Sequence, residues 1–377
     1  MADMENDGLD MATWDVCGSV KYELDTFFIY YMPTIIVIGL LGNGLSALTF
    51  MLTKLRKLPN SYYMTALAFA DSGMLICHLM LLTNFDYSAR NIPGICQLTL
   101  YFGGVFSFLS VWYVVSFTLE RYIAVRHPLR RLQWCTVKRA RCIVLAIFAF
   151  ACLFNAHVLV LAYPTVDSNN RTMCSVHEKY LEIANTMNHI DTVLTFFIPL
   201  VLITVWNTCI ARTHLFSRRA SQLVDGTSSF RKCIRQRRRS TKPDERMITG
   251  LLLPALVSET FLGGELRYHV RRRLTDDRKM TLTLLTVSLF FLFMNFPDHV
   301  IRMIIYGLYR TKTWEKLTST QQCWITAAQK VTMILFNANF AVNFFLYSLI
   351  GVNFRTHLRK LLKSIFSTKR QNTWVSS

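Results

Sequence analysis

Long apolar runs alternate with short charged stretches along the whole of this 377-residue chain. Roughly 20 apolar residues are enough for a helix to cross a bilayer, and seven runs reach that length. Several of them contain proline or glycine, which membrane helices tolerate better than soluble ones. The pattern predicts an all-α membrane protein with seven transmembrane helices, at about 27–52, 62–83, 96–119, 142–162, 187–210, 280–307 and 324–350.

Charge sets the expected orientation of these helices. The 42 Lys and Arg residues are concentrated in every second segment between the runs, and basic residues favour the cytoplasmic side. We therefore expect a plasma-membrane protein with its N-terminus outside and its C-terminus inside. The net charge of +19 is attributed to this bias, facing anionic lipid and a cytoplasmic partner, rather than to nucleic-acid binding.

The same reasoning divides the chain into regions. Residues 1–26 form an acidic extracellular tail, 27–350 the transmembrane domain, and 211–279 a long basic third intracellular loop. Residues 351–377 hold a short eighth helix, amphipathic and lying along the lipid surface, and the cytoplasmic tail. The apolar segment 247–264 is read as a membrane-lying stretch or partner contact, because an eighth span would reverse the later helices.

Ionisable side chains inside the runs are functional candidates, because each costs ~2.5–3.5 kcal/mol near a helix centre. They are Asp71, Asp191, Asp298, Arg302, Lys330, His78, His157 and His299. Polar residues of other runs could join Asp71 around water or an ion: Asn43, Ser110, Asn337, Asn339 and Asn343. Alternatively, each of these groups merely satisfies backbone or a neighbouring helix.

Four cysteines fall on the predicted outer side, where disulfides persist: Cys17, Cys96, Cys174 and Cys323. Asn170-Arg171-Thr172 is a glycosylation sequon on the same side. No pair of cysteines has the CxxC spacing, so a metal site is not expected.

Glu120-Arg121-Tyr122 ends the third run and precedes a basic segment. With seven spans, an outer N-terminus and NFFLY at 343–347, this resembles the rhodopsin-like (class A) G-protein-coupled receptors. The resemblance implies a disulfide between Cys96 and Cys174. It implies a water and sodium pocket, with sodium at Asp71 and no other cofactor, formed by Asn43, Asp71, Ser110, Asn339 and Asn343. It also implies activation positions at Pro199, Phe291, Pro297 and Tyr347.

In that family, the arginine of the ERY motif acts as a switch. The resemblance implies that Glu120 holds Arg121, that Asp277 is a second acid for it, and that outward movement of helix six frees it for a heterotrimeric G protein. Serines and threonines of the tail could take phosphate for arrestin. The sequence departs from the family at Asn207, Asn295 and Phe344, where Tyr, Trp and Pro are usual.

The ligand class is narrowed by exclusion. The position of the aminergic aspartate is Gly103 and that of the retinal lysine is Asn337, so amines and retinal are disfavoured. The predicted ligand pocket contains His78, Thr99, Asp191, Asp298, His299, Arg302 and Gln329. Its two acids suit a cationic ligand such as an arginine side chain, unless they pair with Arg302 or Lys330. A second disulfide, Cys17 to Cys323, would tie the tail across the pocket mouth.

The predicted function is a receptor for an extracellular neuropeptide that activates heterotrimeric G proteins. NFFLYSLIGVNFR and FMNFPDHVIR also resemble invertebrate FMRFamide-receptor-like proteins. A chemosensory or small-molecule receptor is the alternative within the class. A transporter or channel is a more distant one, since no inverted repeat is visible. No run pairs a nucleophile with a base, so no enzymatic activity is expected.

Overall fold

The computed structural model describes residues 2–83, 94–166, 172–176, 178–213 and 264–373. Seven helices in these ranges are long and apolar enough to cross a membrane, which confirms the predicted seven-helix bundle. We call them spans one to seven and call the side that carries Cys17 the outer side. The spans are Val16–Leu52, Pro59–Leu81, Ile95–Arg126, Val137–Leu161, Leu181–Thr213, Thr281–Arg310 and Ser319–Ile350.

Spans one and six belong to longer helices, Ala2–Leu52 and Gly264–Arg310. The predicted extracellular tail is therefore helical from Ala2 and continuous with span one. No proline interrupts this helix before Pro33. The helix that contains span six likewise begins inside the predicted third intracellular loop, at Gly264. The apolar segment predicted at 247–264 lies outside the described residues, apart from Gly264.

Spans four and five are not continuous regular α-helices. The helix Leu181–Thr192 of span five passes into a π-helical turn, Val193–Phe197, just before Pro199. Proline lacks an N–H and clashes with the carbonyl four residues earlier, and a π turn relieves such a mismatch. Span four is the helix Val137–Asn155 followed by the short helix Val158–Leu161.

The loop after span four forms an antiparallel hairpin of strand β1 (Ala162–Val166) and strand β2 (Thr172–Val176). Cys174 lies opposite Pro164 in this hairpin and is bonded to Cys96 at the start of span three. The family-implied disulfide is therefore present in the structure. It holds the hairpin over the outer ends of the spans. The sequon residue Asn170 lies outside the described residues.

The apolar core is continuous through the inner half of the bundle. Its largest fully buried side chains include Tyr347, Phe108 and Phe117. After span seven comes the amphipathic helix Val352–Thr373, and its Phe354 ring lies 5.3 Å from Phe50 and 5.7 Å from Tyr347 between centroids. These contacts fix the C-terminal helix against spans one and seven. On the inner side, opposite Cys17, the helix Pro128–Trp134 connects spans three and four.

Candidate functional site

A buried polar cluster joins three spans at the centre of the bundle. Asp71 of span two is fully buried, and each of its carboxylate oxygens accepts one hydrogen bond. Ser110 of span three donates to Oδ1 over 2.7 Å, and Asn343 of span seven donates to Oδ2 over 2.7 Å. The structure thus brings together three of the five residues predicted for the water and sodium pocket.

The other two residues of that prediction are also buried. Asn43 of span one donates to the Phe340 carbonyl of span seven over 2.8 Å, and Asn339 is 2% exposed. Phe344, at the position where the family usually has proline, packs against Gly42. A Cβ at position 42 would lie 2.9 Å from that of Phe344, so the glycine makes room for the larger side chain.

The inner end of span three buries its charges. Glu120 is 7% exposed and Arg121 5%, although they follow an apolar run. The Cys135 thiol lies 3.9 Å from the Glu120 carbonyl. Burial raises the pKa of Cys135, so this thiol stays neutral and is a poor nucleophile. The pairing of Glu120 with Arg121 remains a prediction, and the side chain of Asp277 lies outside the described residues.

Tyr122, the third residue of this motif, faces span five. Its ring is stacked 6.4 Å from that of Trp206 and lies 6.0 Å from His127, between centroids. Nearer the outer end of span six, the Asn295 side chain donates over 2.7 Å to the carbonyl of Phe291, one turn earlier in the same helix, and Asn295 lies two residues before Pro297. Asn295 stands at the position where the family usually has tryptophan. Its side chain makes a hydrogen bond within its own helix, close to the proline.

A direct hydrogen bond links spans five and six in the inner half of the bundle. Asn207 donates to the Ser288 hydroxyl over 2.8 Å, and both residues are buried. The Ser288 hydroxyl in turn donates to the carbonyl of Leu285. The residue that departs from the family's usual tyrosine thus links span five directly to span six.

Replacing Ser288 with alanine is expected to raise basal activation of a G protein about two- to threefold. Hydrogen bonds between membrane helices average roughly 0.6 kcal/mol, and this one opposes outward movement of span six. Nucleotide exchange in membranes without agonist measures the effect. Thr286→Ala is the matched control, because its hydroxyl bonds only to Leu282 of its own helix. Unchanged basal activity in both Ser288→Ala and Asn207→Ala would contradict the expectation.

A cavity of about 400 Å³ opens between the outer halves of spans three to seven. Asp191 and Arg302 are the charged residues among its described lining. Polar residues that the sequence did not single out for the pocket also line it, including Asn155, His157, Asn185 and Asn188. Of these, the sequence singled out only His157, as an ionisable side chain inside an apolar run, and did not assign it to the pocket; the three asparagines gave no signal because each is an isolated uncharged polar residue.

Asp298 does not line this cavity among the described residues; instead it pairs with Arg302. The Arg302 Nε atom lies 2.7 Å from Asp298 Oδ2, one helical turn away. Lys330 pairs instead with Asp25 of the helix of span one. Of the two acids predicted for the pocket, Asp298 is therefore the one that pairs with Arg302. Asp191 is the acid that faces the cavity.

The remaining predicted pocket residues lie elsewhere. Thr99 lines a different groove, between spans two and three, with Phe102 and Gly73. Span three turns Thr99 towards span two, so it is not among the described residues that line the cavity; its role in ligand binding stays a prediction. His299 stacks on Phe196 at 4.5 Å and His78 lies 6.3 Å from Phe340, between ring centroids. Gln329, on span seven, is absent from the described lining of the cavity.

Filling the cavity from Gly103 is expected to lower agonist potency at least about tenfold. A Cβ at Gly103 would meet nothing within 4 Å, so Gly103→Leu places a side chain in open space and deletes binding volume without disturbing the fold. Loss of ~1.4 kcal/mol corresponds to this factor. Gly307→Leu is the control, since Gly307 is equally open but lies off the described lining. Equal potency in the two variants would contradict the placement of the ligand.

In its outer half, the helix of span one is fixed to span seven at three heights. Cys17 forms a disulfide with Cys323, Asp25 pairs with Lys330, and the Tyr31 hydroxyl donates to the Ile334 carbonyl over 2.7 Å. We call these three contacts the one–seven clamp. The second disulfide is therefore present in the structure, and it ties the extended helix to the outer end of span seven.

Removing the disulfide of the one–seven clamp is expected to destabilise the protein more than removing its ion pair. Cys17→Ser should lower the free energy of unfolding by about 2–4 kcal/mol, and Asp25→Asn by only ~0.2–1 kcal/mol, because the pair is partly exposed. Thermal unfolding of the purified protein measures both. Cys142→Ser, which changes an exposed free cysteine, is the control. A larger effect of Asp25→Asn would refute this ranking.

Comparisons with known proteins agree with this architecture. The family described as 7 transmembrane receptor (rhodopsin family) matches residues 42–347. The chain is 22% identical to the thyrotropin-releasing hormone receptor of Gallus gallus over 91% of this chain and 80% of that receptor. It is 26% identical to cysteinyl leukotriene receptor 1 of Homo sapiens, over 63% of this chain and 65% of that one.

A third relative is the neuromedin U receptor homolog nmur-2 of Caenorhabditis elegans, which is 29% identical over 34% of this chain and 32% of its own length. The family match covers spans two to six completely, span one from Gly42 and span seven up to Tyr347. Members of this family are receptors in the plasma membrane and not enzymes, as predicted. The chain belongs to the rhodopsin family of seven-transmembrane receptors.

Proposed function

We propose that this receptor binds an extracellular peptide in its outer cavity and activates a heterotrimeric G protein. The observation that carries the proposal is the cavity itself, which is open at the outer side and presents Asp191 and Arg302 to a polar ligand. Relatives named for thyrotropin-releasing hormone and neuromedin U support a peptide. The FMRFamide-receptor-like resemblance makes amidated peptides the first ones to test.

The path from ligand to G protein runs through the buried groups. Ligand contacts would favour a state with span six outward, shifting a pre-existing equilibrium. That movement breaks the bond between Asn207 and Ser288 and exposes Arg121 to the G protein. Nucleotide exchange then takes place in the G protein. Pro199, Phe291, Pro297 and Tyr347 lie along this path and would accommodate the change in helix geometry.

We also propose that Asp71 can hold a sodium ion. Asp71, Ser110, Asn43 and Asn339 are buried residues that would supply oxygen ligands, which hard cations prefer. Asn43 Oδ1 has no hydrogen-bond partner among the described residues, so it has a lone pair to offer. A bound ion would add positive charge next to Asp71 and favour the inward state of span six.

Activation of G proteins in cells that express the chain tests the proposal. A library of amidated peptides is applied, and surface expression is measured in parallel. A response that Gly103→Leu abolishes while Gly307→Leu retains it would support peptide binding in this cavity. Silence across the library, with normal surface expression, would reject the peptide proposal.

A small-molecule ligand is the second candidate. The cavity volume of about 400 Å³ falls within the range of ~300–1,000 Å³ typical of small-molecule sites, and one relative is named for cysteinyl leukotrienes. A response to lipid mediators or other small organic acids, with silence towards peptides, would favour it.

Other partners follow from the tail and the outer loops. We propose that the helix Val352–Thr373 lies on anionic lipid through its basic face, which includes Arg355, Arg359, Lys360 and Lys363. Phosphate on the serines and threonines of the tail would recruit arrestin, and Asn170 would carry a glycan. Phosphorylation and glycosidase mapping of the expressed receptor test the last two proposals.

A further inference from the structure

The pair of Arg302 and Asp298 is unequal in its exposure. The Asp298 side chain is 2% exposed and that of Arg302 is 51%. The carboxylate thus lies inside the bundle, and the guanidinium projects from it at the cavity that Arg302 lines. A pair with this geometry presents one partner to a ligand and uses the other as its support.

Two contacts fix the guanidinium of Arg302. Asp298 Oδ2 forms an ion pair with Nε at 2.7 Å, and the Phe336 ring of span seven lies 5.3 Å from the guanidinium carbon. Stacking on an aromatic face sets the plane of an arginine. The described residues provide no hydrogen-bond or ion-pair partner for Nη1 and Nη2, which carry four N–H donors. The fork of donors that Nη1 and Nη2 form is therefore oriented before any ligand binds.

The other charged residue of the cavity is Asp191, on span five. No ion pair within 4.0 Å joins it to Arg302 among the described side chains, although both line the same cavity. Asn188, one turn before Asp191, lies on the cavity as well. The cavity therefore offers a separate donor fork on span six and a separate acceptor on span five.

We propose that Arg302 recognises an acceptor oxygen of the ligand, a terminal carboxylate or carboxamide, while Asp191 takes a cationic group of the same ligand. Asp298 is a positioning residue that acts through Arg302. That the ligand is a peptide rests on the proposed function. The recognition of an acceptor oxygen by Arg302 does not depend on the ligand being a peptide. It replaces the two-acid pocket expected from the sequence.

A charge-probe experiment tests the cavity without any known ligand. Asn188→Cys is introduced in cells, and its rates of reaction with an anionic thiosulfonate (ethylsulfonate) and a cationic one (ethyltrimethylammonium) are compared. Arg302→Gln should lower the anionic-to-cationic rate ratio about threefold or more, and Asp191→Asn should raise it similarly, because a nearby unit charge attracts or repels each reagent. Arg302→Lys, which keeps the charge, should leave the ratio near that of Asn188→Cys alone.

An unchanged ratio in Arg302→Gln would overturn the proposal, since it would mean that Asp298 cancels the charge of Arg302. Equal reactivity of Asn188→Cys and the unsubstituted receptor would overturn it too, because the cavity would then be closed to polar solutes. Both outcomes are independent of the G-protein assay. If the ratio responds as expected but no peptide activates the receptor, the peptide proposal fails and the acceptor site stands for a smaller ligand.

Peptide analogues test the acceptor directly. The amidated agonist from the library is compared with its free acid and with an analogue whose terminal carboxamide is replaced by methyl. Loss of a charge-assisted hydrogen bond should lower the potency of the methyl analogue ~10–100-fold. Arg302→Gln should abolish this discrimination, and Asp298→Asn should reduce it while surface expression is retained. Whether the free acid or the amide has the higher potency shows which terminal group, carboxylate or carboxamide, Arg302 recognises. Undiminished discrimination in Arg302→Gln would overturn the assignment.

Discussion

Replacing Arg121 with alanine is expected to lower agonist-stimulated nucleotide exchange at least about tenfold, within the range of roughly 5–150-fold typical of allosteric coupling. Arg121 is 5% exposed at the inner end of span three, so outward movement of span six would uncover a charge that the resting state conceals. Without it, the receptor can still bind ligand but presents no buried cation to a G protein. Exchange in membranes, at matched surface expression, measures the loss.

Arg126→Ala is the matched control, because Arg126 is a basic residue of the same span that is already exposed. It should change exchange by less than about twofold, as surface charges away from special features usually have small effects. A response to agonist that survives Arg121→Ala, or that is lost equally in Arg126→Ala, would show that the switch is not at Arg121.

Replacing Asp71 with alanine is expected to lower the free energy of unfolding by about 1–3 kcal/mol, the sum of two interhelical hydrogen bonds in a membrane. Ser110 and Asn343 would both lose their acceptor, and two buried donors would be left inside the bundle. Because the three residues come from spans two, three and seven, the loss loosens the centre of the structure. Thermal unfolding of the purified receptor measures it.

Ser72→Ala is the control for Asp71→Ala. Ser72 is the next residue, but its hydroxyl bonds only to the Ala68 carbonyl of its own helix, so a small effect is expected. If Asp71 also holds sodium, Asp71→Ala should abolish any stabilisation by sodium chloride over potassium chloride. Equal unfolding temperatures for both variants and the native receptor would contradict a structural role for the polar cluster.

The sequence predicted the spans and the central cluster because the physics behind them is simple. An apolar run of membrane length has few alternatives to a spanning helix. Asp71, Ser110 and Asn343 are polar groups in such runs, and they meet because each must find a partner away from lipid. Arg302 and Asp298 are four residues apart on one helix face, so their pairing could also be anticipated.

Contacts between distant parts of the chain were beyond such reasoning. Asp25 and Lys330 are separated by 305 positions, and their pairing depends on an N-terminal helix whose polar composition gives no membrane signal. The groove that Thr99 lines was not anticipated either, because the rotation of span three about its axis is set by packing and not by periodicity alone. The π turn at Val193–Phe197 shifts the register of span five, which sequence periodicity does not reveal.

The one–seven clamp makes the N-terminal helix a reporter of the receptor's state. Because Cys17 is bonded to Cys323, any displacement of the outer end of span seven carries the helix beginning at Ala2 with it, beyond the membrane surface. An antibody fragment raised against that helix would sense ligand binding without entering the cavity. A fluorophore attached near the N-terminus would follow the motion of span seven in living cells, with no label inside the bundle.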